Sequence, residues 1–178
     1  MLLARLKAEA AQHEARGKLV VAADTLVVLG GQVMGKPADA DTAASMLRDL
    51  RGQEHQVISG LAVLDSASNT ITLEAVESRV RMRDYQDSEI AEYIARGEPF
   101  DKAGGYAIQD RLFHPVDGIE GCYANVMGLP LCHLYRVLRE RHVAAATSPQ
   151  RACDDYTHRR CLAAAEVLNK PVTTRDDH

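Results

Sequence analysis

The stretch from Val20 to Leu29 constrains this chain most. Apart from Asp24, eight of its nine other residues are apolar, and only Thr25 joins the aspartate in breaking the run. An aliphatic, β-branched series of this kind predicts a buried strand over 18–29. A lone ionised carboxylate is costly to bury. Asp24 therefore either marks a strand end and bonds to backbone, or is held at the mouth of a cleft for chemistry, and the strand pattern supports both equally.

Around this strand the periodicities alternate between 3.6 and 2. Leu2, Leu3, Leu6 and Ala10 predict a helix over 1–16, stopped at Gly17. Gly30-Gly31 is a hairpin signal, Gln32 to Met34 a short return strand, and Gly35-Lys36-Pro37 a loop. A helix capped by Asp39 or Asp41 ends at Gly52. Strands follow over 54–65 and 70–83, joined by the turn Ser66-Ala67-Ser68-Asn69. In the second, Val76, Ser78, Val80 and Met82 face one way and Glu77, Arg79, Arg81 and Arg83 the other. Asp87 or Ser88 caps a short helix with Ile90, Tyr93 and Ile94 inward, ended by Gly97. Residues 98–130 read as glycine-rich and irregular, with one short strand at Tyr106-Ala107-Ile108. Pro130 opens a helix carrying Leu131, Leu134 and Leu138 on one face. The domain is expected to span 1–142, and 143–178 to be a partly disordered tail with one short helix near 157–168.

Composition narrows the function. The chain has 178 residues, enough for one domain, with 46% apolar and 26% charged residues. Aromatics make up 4% and tryptophan is absent, which predicts a core of Leu, Val, Ile, Ala and Met. Against 21 Lys and Arg stand 25 Asp and Glu, a net charge of -4 that argues against a non-specific nucleic-acid binder. No apolar run approaches the roughly 20 residues that span a bilayer, and the opening lacks a signal-peptide pattern. The expectation is a cytoplasmic protein with neither membrane nor nucleic acid as partner. Cys122, Cys132, Cys153 and Cys161 form no CxxC pair and read as free thiols. Cys153, His158 and Cys161 match no common zinc spacing. The histidines, His55 among them, are scattered, and no GxSxG or phosphate-loop pattern occurs.

A second unusual stretch is Asp101-Lys102-Ala103-Gly104-Gly105-Tyr106-Ala107-Ile108-Gln109. It puts an acid, a base and two glycines in one loop, where it is either a tight turn with a surface ion pair or a place where backbone approaches a ligand closely. Asp24, Lys36, Asp101 and Lys102 together suit a phosphate and a hard cation.

These blocks, with Leu3 to Ala8, Met46 to Val57 and Asn125 to Leu131, resemble the Maf family of nucleoside triphosphate pyrophosphatases in the family's own order. The resemblance implies an α/β fold with an elongated mixed sheet flanked by helices and a nucleotide cleft between two lobes. It implies hydrolysis of a nucleoside triphosphate to the monophosphate and pyrophosphate with a divalent cation, Mg²⁺ or Mn²⁺. Asp24 matches the family's catalytic acid; as an ionised carboxylate it could take a proton or hold the metal. Lys7 and Lys36 match lysines facing the phosphates, and Lys102 belongs to the same phosphate-suited set. Thr25 and Gln109 match the positions of the branch acting on dTTP and UTP. The resemblance leaves a homodimer open. The family usually opens with a strand and a Ser-x-Ser-Pro-Arg-Arg loop, whereas this sequence starts at the Lys7 helix, so the expected sheet lacks its first strand. Two functions follow: pyrimidine triphosphate hydrolysis, or a catalytically impaired relative that binds nucleotide or acts in cell division.

Overall fold

In the computed structural model residues 1–172 are described. Among them the strands are β1 (Leu19–Leu29), β2 (Gln32–Met34), β3 (Glu54–Asp65), β4 (Thr70–Met82) and β5 (Val116–Glu120), in one sheet ordered β2-β1-β3-β4-β5. The helices are α1 (Leu2–Ala11), α2 (Ala40–Leu50), α3 (Asp87–Ala95), α4 (Tyr123–Val126), α5 (Leu131–Glu140), α6 (Pro149–Thr157) and α7 (Ala164–Asn169). Both edge pairs, β1 with β2 and β4 with β5, are antiparallel. The chain packs as two units. The first holds Met1–Asp24, Ser59–Val76 and the residues from Cys122 on; the second holds Thr25–Ile58 and Glu77–Gly121.

In the first unit, β3 is buried on both faces. Successive side chains of a strand point to opposite sides. Ala62 and Leu64 meet Ala4 and Ala8 of α1, together with Val20, Ala22, Ile71 and Leu73. Leu61 and Val63 meet Val137 of α5, with Leu129, Leu134, Leu138 and Val172. Alanines on α1 let the helix lie close to the strands. At Gly60 the approach is closer still, since a Cβ there would stand 2.9 Å from the Met1 backbone.

The same alternation places charge. Thr72 and Glu74 take the α5 side of β4, where Arg141 Nη2 donates to Thr72 Oγ1 at 2.6 Å and Arg136 Nη2 to Glu74 Oε1 at 2.5 Å. His133 Nδ1 lies 2.7 Å from Glu74 Oε2. Burial opposes ionisation of Glu74, but hydrogen bonds from His133 and Arg136, and the Arg136 charge, outweigh it and hold the carboxyl below its ordinary value. Arg136 Nη1 and Arg139 Nη2 also donate to the carbonyls of Val167 and Leu168, at 3.2 and 3.3 Å, in the last turn of α7.

The second unit gathers the few aromatics. Tyr93 stacks on Phe113 at 4.5 Å and Tyr85 tilts against it at 4.8 Å. Tyr85 and Tyr93 are fully buried, so the expected all-aliphatic core is corrected: aromatics are scarce but concentrated. Their hydroxyls are satisfied, Tyr85 donating to Leu47 O and Tyr93 accepting from Ala107 N. Gly30 and Gly31, at φ +56° and +83°, make the expected two-residue hairpin of β1 and β2. Asp39 caps α2 by accepting from Thr42 N, and Gln86 with Glu89 forms a capping box on α3, one residue before the expected cap.

Other expectations are revised. Residues 106–108 form no strand, and the strand of this region is β5. In β1 only Val27 is buried: Val20 and Ala22 pack beneath α1, while Val21 is 42% exposed. The segment 143–172 contains two helices rather than one, because Ser148 and Pro149 start α6 and His158, at φ +54°, ends it before α7 begins. The last part of the expected disordered tail, 173–178, lies outside the described residues.

Removing one partner of a buried pair strands the other charge. Glu74→Ala is expected to cost about 3–5 kcal/mol in urea unfolding, whereas Glu74→Leu with Arg136→Met costs far less. Because the Glu74 carboxyl is depressed in the folded state, its contribution is present above the ordinary glutamate pKa. It is lost as pH falls through the lower folded value, so the difference between parent and double variant shrinks in acid.

Candidate active site

Asp24 closes the first unit's share of β1, and its neighbours Val20 and Ala22 lie against α1. The packing of Ala4 and Ala8 fixes that helix on the strands, and Lys7, between them in sequence, reaches across. Lys7 Nζ pairs with Asp24 Oδ1 at 2.5 Å. The lysine side chain is 57% exposed and the aspartate 20%, so the carboxylate is sheltered and its cation faces water. Of the two readings open for Asp24, the strand-end one, with bonds to backbone, gives way to a carboxylate with a side-chain cation.

The other expected residues lie in the second unit. Thr25 is half-buried on β1. Lys36 is exposed on the loop after β2, beside the buried Pro37. Gly104 N–H donates to Gly35 O at 2.9 Å, which joins that loop to the 101–109 segment. Gly104 and Gly105 stand at φ +72° and +69°, and a Cβ on Gly104 would come 3.0 Å from Val27 Cγ1. Glycine is thus required there for both conformation and space.

Lys102 Nζ donates to Asp101 Oδ1 and to Glu98 O, each at 2.6 Å, and stands 3.6 Å from the Glu98 carboxylate. This bond from Lys102 holds the Asp101 carboxyl below its ordinary value, with the charges of Lys102 and Lys36 acting the same way. Lys36 and Lys102 thus both act electrostatically on Asp101. Gln109 is exposed on the same segment. Among the described residues no three His, Cys, Asp or Glu side chains are grouped to hold a metal ion.

Sequence reasoning missed a pair. His55 Nε2 lies 2.7 Å from the Tyr106 hydroxyl, with both residues buried. The available signal was a histidine in an otherwise strand-like segment, and the partner, 51 residues on, could not be read from spacing.

The first unit thus carries a lysine-paired carboxylate on an apolar strand, and the second a loop group of two lysines and an aspartate braced by glycines, in an α/β protein. The chain belongs to the Maf-like protein family, whose pattern matches residues 1–141. It is similar to a protein named dTTP/UTP pyrophosphatase from Pelotomaculum thermopropionicum, 46% identical over 139 residues, covering 78% of this chain and 73% of the relative. A protein of the same name from Citrifermentans bemidjiense is 47% identical over 137 residues, 77% of this chain and 71% of the relative. One from Thermomicrobium roseum is 42% identical over 168 residues, 94% of this chain and 76% of the relative, so that likeness runs well past residue 141. No helix among the described residues is long and apolar enough to cross a membrane.

Gly104→Ala tests the brace of the loop. A left-handed φ for alanine and contact with Val27 should together destabilise the protein by about 1–3 kcal/mol in urea unfolding. Adding Val27→Ala should cost less than the sum of the two single changes, because it removes the steric part.

Proposed function

We propose that this chain hydrolyses dTTP and UTP to the nucleoside monophosphate and pyrophosphate, water adding at the α-phosphorus as the bond to the bridging oxygen breaks. The observation that carries the reading is the partly sheltered Asp24 carboxylate paired with Lys7, in a chain whose relatives bear that activity in their names.

Asp24 accepts the proton of the attacking water, and Lys7 holds the carboxylate in place while offsetting phosphate charge. Lys36 and Lys102 neutralise the triphosphate, whose roughly four negative charges would otherwise repel the nucleophile. A divalent cation, Mg²⁺ or Mn²⁺, would be held by Asp24 together with substrate phosphate oxygens, and when bound it supplies charge neutralisation at the phosphates. Gln109 presents one acceptor and two donors in a plane, which suits the edge of uracil or thymine, and Thr25 completes base selection. The half-buried Thr25 and exposed Gln109 support these roles.

Pyrophosphate release with each nucleoside triphosphate tests the reading. UTP and dTTP should be used in preference to ATP and GTP, since a site built for one base edge leaves its polar groups unpaired with another. Equal use of purines would show that Thr25 and Gln109 do not select. Asp24→Asn keeps the shape and loses the charge, so turnover should fall by about 10²–10⁴-fold with circular dichroism unchanged. Undiminished turnover in that variant would remove Asp24 from the reaction. Nucleotide binding without any pyrophosphate release by the parent would favour the non-catalytic alternative.

A further inference from the structure

His55, at the start of β3, is 2% exposed, and Tyr106, in the 101–109 segment, is 6% exposed. The 2.7 Å contact between His55 Nε2 and the Tyr106 hydroxyl comes with an edge-to-face ring arrangement at 5.4 Å. Burial drives the imidazole pKa down to about 4, so the ring is neutral at neutral pH. Burial also raises the Tyr106 phenol. A neutral imidazole offers one donor and one acceptor. Nδ1 of His55 is buried with no hydrogen-bond partner among the described residues, so the ring's polar bond is the one to Tyr106 through Nε2.

A histidine that merely filled space would be better replaced by an apolar side chain, because a buried orphan nitrogen costs stability. The retained bond acts on the backbone it holds. Tyr106 follows the two glycines of left-handed φ directly, and the next residue, Ala107, donates its N–H to Tyr93 of α3 at 3.1 Å. Two consecutive residues are thus tied to two different elements, β3 and α3. Lys102 lies four positions before Tyr106, and Gln109 three after.

We infer that His55 is a positioning residue: through Tyr106 it sets the path of residues 101–109 and so the base selectivity exerted at Gln109. It touches no substrate group. The inference rests on the pyrophosphatase reading above.

The test compares His55→Leu, Tyr106→Phe, the two together, and His55→Gln, whose amide can reach the same hydroxyl. Two readouts are taken on each intact chain: the ratio of kcat/KM for UTP over ATP, and amide hydrogen exchange of peptides covering 101–109. His55→Leu and Tyr106→Phe should each lower the ratio about tenfold and speed exchange in that segment by a similar factor. The double variant should be no worse than the more affected single one, and His55→Gln should keep most of the selectivity. A purely structural histidine would instead lower the active fraction and leave the ratio unchanged. That uniform loss, or unchanged exchange in both single variants, overturns the inference. A parent that releases no pyrophosphate from any nucleotide overturns the functional reading instead, and the exchange measurement, which needs no turnover, still decides whether the bond positions the loop.

Discussion

The burial of β3 on both faces is the constraint on which the first unit depends. Leu61 and Val63 can reach α5 only if Ala62 and Leu64 reach α1, because the pleat leaves no other choice. A slip of one residue would exchange the two sets, bringing Leu61 and Val63 to the α1 side in place of Ala62 and Leu64 and turning the small alanine away from the helix. The register of that strand therefore sets the depth of α1. The depth of α1 in turn sets whether Lys7 meets Asp24.

The two charge clusters of the first unit differ in exposure. Glu74 and Arg136 are buried and bonded to each other, Glu74 also to His133 and Arg136 also to the Val167 carbonyl, so that removing either leaves an uncompensated charge. Lys7 faces water and its partner is only partly sheltered. Such a pair contributes little to stability. In the second unit the group of Lys36, Asp101 and Lys102 is likewise near the surface, and its order comes from the glycine brace beneath it rather than from burial.

Much of this was legible in the sequence for physical reasons. The strands of 54–65 and 70–82, the Gly30-Gly31 hairpin and the helix after Asp39 carry strong local signals of period, turn and cap. Residue types restricted by chemistry, such as Asp24 in an apolar run, stood out in the same way. What escaped was decided at a distance. Val116 to Glu120 reads as irregular because its glycine and acids weaken the pattern, and it becomes a strand by pairing with β4, Val80 opposite Ile119. The Tyr106 segment has strand-like residues but is claimed by His55 and Tyr93. The tail reads as polar and weakly periodic, and it is held by arginines of α5 that no local window includes.

That hold has a consequence for how the tail can vary. Arg136 and Arg139 grip α7 by its backbone carbonyls, which every amino acid possesses. The grip is blind to most side chains of α7. Ala164, which is buried, and Val172, which packs against the Val137 cluster of α5, tie specific residue types to the contact. The segment is therefore free to drift in composition while its spacing is not: inserting or deleting one residue between Ala164 and Val172 would rotate the carbonyls away from the guanidinium groups, whereas exchanging the exposed residues would leave the attachment intact.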